Sequence, residues 1–164
     1  MRTIRRATRR DTEALCALYE DARAFMRESG NPNQWTAGYP GVADIEDDLS
    51  AASLYVCVDE DDVPQAVFFF QEGPDVTYGR IEGAWADDGT YHVVHRIAAK
   101  RGTGAGKACL RWACEHARSV RIDTHEDNRP MRHVLRQLGF KECGTIWLKD
   151  GRPRIAYQFV SAAD

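Results

Sequence analysis

Long apolar runs are missing from this 164-residue chain. No stretch approaches the roughly 20 residues a spanning helix needs, so no membrane partner is expected, and the opening MRTIRRATRRDTE lacks the apolar core of a signal peptide. An excess of positive charge is missing too. Lys and Arg number 22 against 25 Asp and Glu, for a net charge of −3, which argues against nucleic acid as the main partner. The five cysteines contain no C-x-x-C pair. Cys109 and Cys114 stand five apart on a predicted helix and point away from each other, so no metal site is expected. Odd in number and set mostly in apolar runs, the cysteines read as buried thiols of a reducing cytoplasm. No internal repeat divides the chain, and its length suits one domain spanning 1–164.

What is present reads as alternating elements. Residues 1–6 form a short strand, and Thr8 to Asp11 caps a helix running to about Glu28, with Leu15, Leu18, Tyr19, Ala22, Phe25 and Met26 on one face. Residues 29–42 are dense in Gly, Pro and Asn and carry two isolated aromatics, Trp35 and Tyr39. These either lid a cleft or pin the loop to the core. A second helix follows over 43–52, with Ile45 and Leu49 inward and Glu46, Asp47 and Asp48 outward. Two buried antiparallel strands, 54–59 and 65–71, precede an irregular stretch, 73–89, in which Ile81, Glu82 and Trp85 stand out. Beyond it come a strand from His92 to Ala99, a glycine-rich turn and a helix. A strand at 120–124, a helix begun by Asn128-Arg129-Pro130, and a hairpin turning at Asp150-Gly151 close the chain.

The turn Arg101-Gly102-Thr103-Gly104-Ala105-Gly106-Lys107 is the most informative stretch. Three alternate glycines let the backbone turn tightly and approach a ligand. The helix that follows presents unpaired amides and the positive end of its dipole, a setting for a phosphate or pyrophosphate. A P-loop is excluded because its first glycine would fall on Arg101 and Ala108 cannot ligate magnesium. The dinucleotide fingerprint fails as well, because Lys107 occupies its last glycine.

The pattern Arg-x-x-Gly-x-Gly over Arg101 to Gly106, between strand and amphipathic helix, resembles the acetyl-CoA pyrophosphate loop of the GNAT acetyltransferase superfamily. The segment 121–131, RIDTHEDNRPM, followed by Leu138-Gly139-Phe140, resembles that family's second hallmark. The order of elements agrees over nearly the whole chain. The resemblance implies a mixed α/β fold, the GNAT acyl-CoA N-acyltransferase fold, with a splayed mixed sheet of about seven strands and four helices. It also implies acetyl-CoA as the acyl donor. Ile97 and Ala99 would bond the pantetheine arm, Arg101, Gly102, Thr103, Gly104, Ala105, Gly106 and Lys107 would hold the pyrophosphate, and Asn128 would reach the thioester end or simply cap its helix. A backbone N–H near Ile97 or Ala98 would stabilise the oxyanion.

The implied reaction is direct attack of a neutral primary amine on the thioester, which needs a base. His95 and His92 are the candidates because an imidazole is mostly neutral near pH 7; their odd spacing puts them on opposite faces, so one lines the cleft. A carboxylate such as Glu82 or a water relay is the alternative. Where many relatives have a tyrosine as general acid, this chain has Leu135, and Tyr157 is the other hydroxyl considered. Trp35, Tyr39 and Glu82 are the candidate substrate contacts. The expected partner is a small-molecule amine, with a homodimer through the closing hairpin left open. A peptide N-acetyltransferase, a CoA-binding sensor and a nucleotide-binding protein are the rival readings.

Overall fold

The computed structural model describes residues 2–36 and 38–162, so Met1 of the predicted first strand and Ala37 of the aromatic loop lie outside the described residues. Thr3–Arg6 forms β1. The Asp11 carboxylate accepts from the Thr8 amide at 2.8 Å and so closes the entry to α1, Thr12–Glu28. Leu15, Leu18 and Tyr19 of α1 are buried. Phe25, assigned to the same face, is instead 37 % exposed and lies under the Arg101 guanidinium. The second helix, α2, is Val42–Ser50. Strands β2, Leu54–Val58, and β3, Pro64–Glu72, follow as an antiparallel pair.

Within the irregular stretch, Glu82–Gly83 makes a two-residue strand, β4, that pairs with Thr145 and Gly144. That short edge strand makes eight strands among the described residues, where about seven are expected. The remaining elements are β5, His92–Ala99; α3, Ala105–Glu115; β6, Ser119–Thr124; α4, Arg129–Gln137; β7, Lys141–Trp147; and β8, Pro153–Val160. With four α-helices among the described residues, the fold is mixed α/β.

The strands form one mixed sheet in the order β1-β2-β3-β5-β6-β8-β7-β4. Only β5 and β6 run parallel, and they pair over two positions, His92 with Val120 and Val93 with Arg121. Past Val93 the two strands part, which leaves an open wedge in the middle of the sheet. One face packs α3 and α4 through Phe68, Val94, Leu110, Leu135 and Tyr157; the other packs α1 and α2 through Leu15, Tyr19, Trp35, Ile45 and Ala98. All five cysteines are free thiols. Among the described residues, no helix is long and apolar enough to cross a membrane.

Candidate active site

Strand β5 carries a bulge that no periodicity announces. Phe69 pairs with His95 and Val67 with Ala98, so two residues, Arg96 and Ile97, stand opposite Phe68 alone. Arg96 takes the left-handed conformation, with φ of 50°, rare for a residue with a Cβ. The extra residue reverses the alternation of faces. Ile97 and Ala99 pack with the α3 side, whereas Ala98 packs with the α1 side.

Three elements lock this bulge. The Tyr19 hydroxyl donates to the Arg96 carbonyl at 2.8 Å. The guanidinium forks onto Asp48 at 2.9 and 2.7 Å and donates to the Tyr39 hydroxyl at 3.2 Å. Asp48, expected to face outward, is therefore buried at 5 % exposure. Burial pushes its carboxyl pKa up against the opposing pull of Arg96. A buried carboxylate persists only with such a partner, and that partner lies on a strand 48 residues away.

Beside the bulge the wedge opens into a cleft of about 970 Å³. His95 lines it; its Nε2 lies 2.7 Å from the Asp75 carboxylate, and its Nδ1 lies 4.0 Å from Asp123 Oδ2. Burial alone would raise the Asp75 pKa, but hydrogen bonds from His95 and Thr77 outweigh it and hold the carboxyl at about 2. Ionised at neutral pH, Asp75 only accepts, so His95 Nε2 carries the proton of that bond and Nδ1 is the ring nitrogen left toward Asp123. Asp123 accepts the Tyr78 hydroxyl at 2.7 Å. Asp75, Tyr78 and Asp123 are site residues that sequence reasoning missed. Asp75 and Tyr78 lie in an irregular stretch with no period to read, and Asp123 fell within the predicted strand 120–124.

His92 is on the opposite face, stacked on Phe70 with ring centroids 4.7 Å apart, and does not line the cleft. Glu82 is exposed on β4 and is also outside it. Trp35 and Tyr39 both line the cleft, in different ways. Trp35 is 9 % exposed and packs edge-on against Tyr19 at 5.7 Å, pinning its loop to the core, whereas Tyr39 is 39 % exposed. Gln34, between them and α4, accepts from Asn31, Thr124 and Asn128. Asn128 lines the cleft while its Oδ1 caps α4 by accepting from the Met131 amide at 3.2 Å.

At the other end of β5, the turn 101–104 leads into α3. Gly102 and Gly104 have φ of 73° and 71°, which is why glycine is needed there. Nothing lies within 4 Å of a Cβ built on Gly102, and on Gly104 only the Arg2 guanidinium does, at 3.7 Å. Thr103 Oγ1 accepts from the Ala105 amide at 3.2 Å. Among the described residues, the amides of Gly102, Gly104, Gly106 and Lys107 donate to no protein acceptor. Arg2, which also donates to the Thr103 carbonyl, adds a positive charge that the sequence did not flag. Arg101 leans on α1, 2.7 Å from Glu28. Both partners are exposed, so the pair is worth at most about 1 kcal/mol and a phosphate can recapture the guanidinium. Lys107 donates to Gln137 at 3.1 Å.

A loop of unpaired amides, a wedge between two parallel strands and a bulge beside it match a known family. The GNAT acetyltransferase domain matches residues 2–141. This chain belongs to the GNAT acetyltransferase family. A GNAT-family acetyltransferase from Streptococcus agalactiae superposes with a TM-score of 0.90 at 32 % identity, over 99 % of this chain and 96 % of that one. Two more distant structures share the fold. One is described as a phosphinothricin N-acetyltransferase (TM-score 0.64, 23 % identity, 99 % and 100 % covered). The other is a ribosomal-protein-alanine N-acetyltransferase from Brucella melitensis (0.66, 18 %, 97 % and 99 %). No curated protein matches the chain.

The family binds acetyl-CoA, and this chain has the features such a ligand needs: open glycine positions, unpaired helical amides and a strand edge freed by the wedge.

Proposed function

We propose that this GNAT acetyltransferase moves an acetyl group from acetyl-CoA to the primary amine of a small molecule. The observation that carries the reading is the run from the unpaired amides of 102–107, along the freed edge of β5, to His95 in the cleft. The amides of the turn, with Arg101, Arg2 and Lys107 around them, hold the diphosphate. The edge of β5 from Val94 to Ala99 pairs with the pantetheine arm as an added strand would. Bound there, acetyl-CoA supplies an activated thioester carbonyl.

The chain's own residues do the rest. Asp75 fixes the His95 ring so that Nδ1 faces the cleft and accepts the amine's proton, while Asp123 draws the cationic amine toward that nitrogen. A backbone amide of the bulge, at Ile97 or Ala98, would donate to the developing oxyanion. Among the described residues, neither position weighed for the family's tyrosine offers a hydroxyl to the cleft. Leu135 is fully buried, and the Tyr157 hydroxyl is engaged by Arg132 at 3.0 Å on the α4 face. The thiolate of CoA is a tolerable leaving group without an acid, so direct attack remains feasible.

The two distant neighbours are named for unlike acceptors, one a small molecule and one a protein, so fold alone does not select between them. The meeting of Asp75 and Asp123 with Arg154 in one cleft supports the small molecule. The test is release of free thiol from acetyl-CoA across a panel of small amines and N-terminal peptides, with the acetylated product identified by mass. Turnover confined to peptides overturns the small-molecule reading, and amine-independent thiol release overturns acetyl transfer.

A further inference from the structure

The cleft holds four carboxylates, and each already has a partner. Asp75 is bound to His95, Asp123 to the Tyr78 hydroxyl, Asp150 to Arg152 at 2.8 Å, and Asp44 to the Gly41 amide at 2.8 Å. One cation of the cleft is matched differently. Arg154, at the start of β8, is only 4 % exposed and lines the cleft, yet among the described residues it has no carboxylate within ion-pair distance. Its protein partners are two backbone carbonyls, Pro153 at 2.8 Å and Gln34 at 3.2 Å. A guanidinium has five N–H donors in a planar fork, so these two bonds leave donors to spare.

Burying an arginine without a counter-ion is unfavourable unless a ligand supplies the charge. Arg154 pairs in register with Ile146, one residue from the Thr124–Ile155 pair at the end of β6. It lines the same cleft as His95, and Asp123 of β6 is the strongest acidic influence on it. Gln34 holds it there by its carbonyl while its side chain bonds Asn128 at 2.9 Å. Cation-seeking and anion-seeking groups thus face one another across a single cleft.

Resting on the acetyl-transfer reading, we propose that Arg154 anchors a carboxylate of the acceptor. The acceptor is then a small amino acid-type molecule whose amine lies a few bonds from that carboxylate. The fork of Arg154 takes the carboxylate in two hydrogen bonds, and the amine is left beside Asp123 and His95. A peptide N-terminus presents a neutral amide where this carboxylate belongs and leaves the guanidinium unmatched.

The experiment compares kcat/KM for matched acceptors, an amino acid, its methyl ester and its decarboxylated amine, with wild-type protein, Arg154→Lys and Arg154→Gln. The expected result is a preference of at least about tenfold for the free acid in wild type, the scale of a charged hydrogen bond. In Arg154→Gln that preference collapses toward one, chiefly through KM, while turnover of the decarboxylated amine stays within about threefold. Arg154→Lys retains part of the preference and serves if the glutamine variant does not fold. Equal or better use of the ester or decarboxylated amine by wild type overturns the inference and leaves acetyl transfer standing. Absence of transfer to any amine by wild type that binds acetyl-CoA overturns both.

Discussion

The two ends of β5 are built by opposite means. At its C-terminal end the proposed diphosphate loop is made almost wholly of backbone from one unbroken run, 101–107, and what it offers a ligand is unpaired amides. At the bulge, the cleft is made of side chains drawn from α1, the loop after it, α2, the stretch before β4, β6 and β8. A backbone site tolerates change in every residue except those whose conformation or bulk it depends on. A side-chain site depends on distant pairings such as Arg96 with Asp48 or His95 with Asp75, in which the partners are buried or half-buried and each holds the other in place.

The sharpest way to break that comparison is at the loop. Gly104→Glu puts a β-carbon on a residue with φ of 71° and a carboxylate beside the amides; acetyl-CoA affinity by calorimetry should fall at least about 100-fold, since both strain and charge oppose binding. Affinity within a few-fold of wild type would remove the loop from the site. Next comes His95→Ala. It should lower kcat by about 10²- to 10⁴-fold, the span of general-base catalysis, with acetyl-CoA affinity unchanged. A parallel loss of cofactor binding would make His95 structural.

The Asp75 pair is tested by pH. Its folded pKa, about 2, lies below the ordinary carboxylate value. The stabilisation is therefore complete above about pH 4 and is lost as pH falls toward 2. The stability gap between wild type and Asp75→Asn in urea should narrow by about 2 kcal/mol between pH 5 and pH 2. A gap that does not change with pH would mean that the carboxylate is not ionised against His95. The smallest effect is expected at His92→Ala, on the face away from the cleft, where kcat should stay within about twofold of wild type. A loss as large as that of His95→Ala would place the base on the wrong face.

Legibility followed the same division. The loop could be read because its glycines, its strand and its helix are contiguous, and the physics of helix termini needs no distant partner. His95 and His92 were correctly placed on opposite faces because the bulge lies after both. Asp48 was misplaced because a run of three acids reads as a solvated face, and only the approach of Arg96 reverses that. Trp35 left a choice between lid and anchor that its contact with Tyr19 resolves toward the core.

By itself, then, the sequence determined the order of elements, the main helical stripes and the glycine-rich turn into α3, all properties of neighbours in the chain. Tertiary structure alone decided the wedge after Val93, the bulge at Arg96 and the convergence of Asp75, His95, Asp123 and Arg154 on one cleft. The physical reason is that strand register, and the partner each buried charge must find, are set by packing between segments tens of residues apart, where no local periodicity reaches.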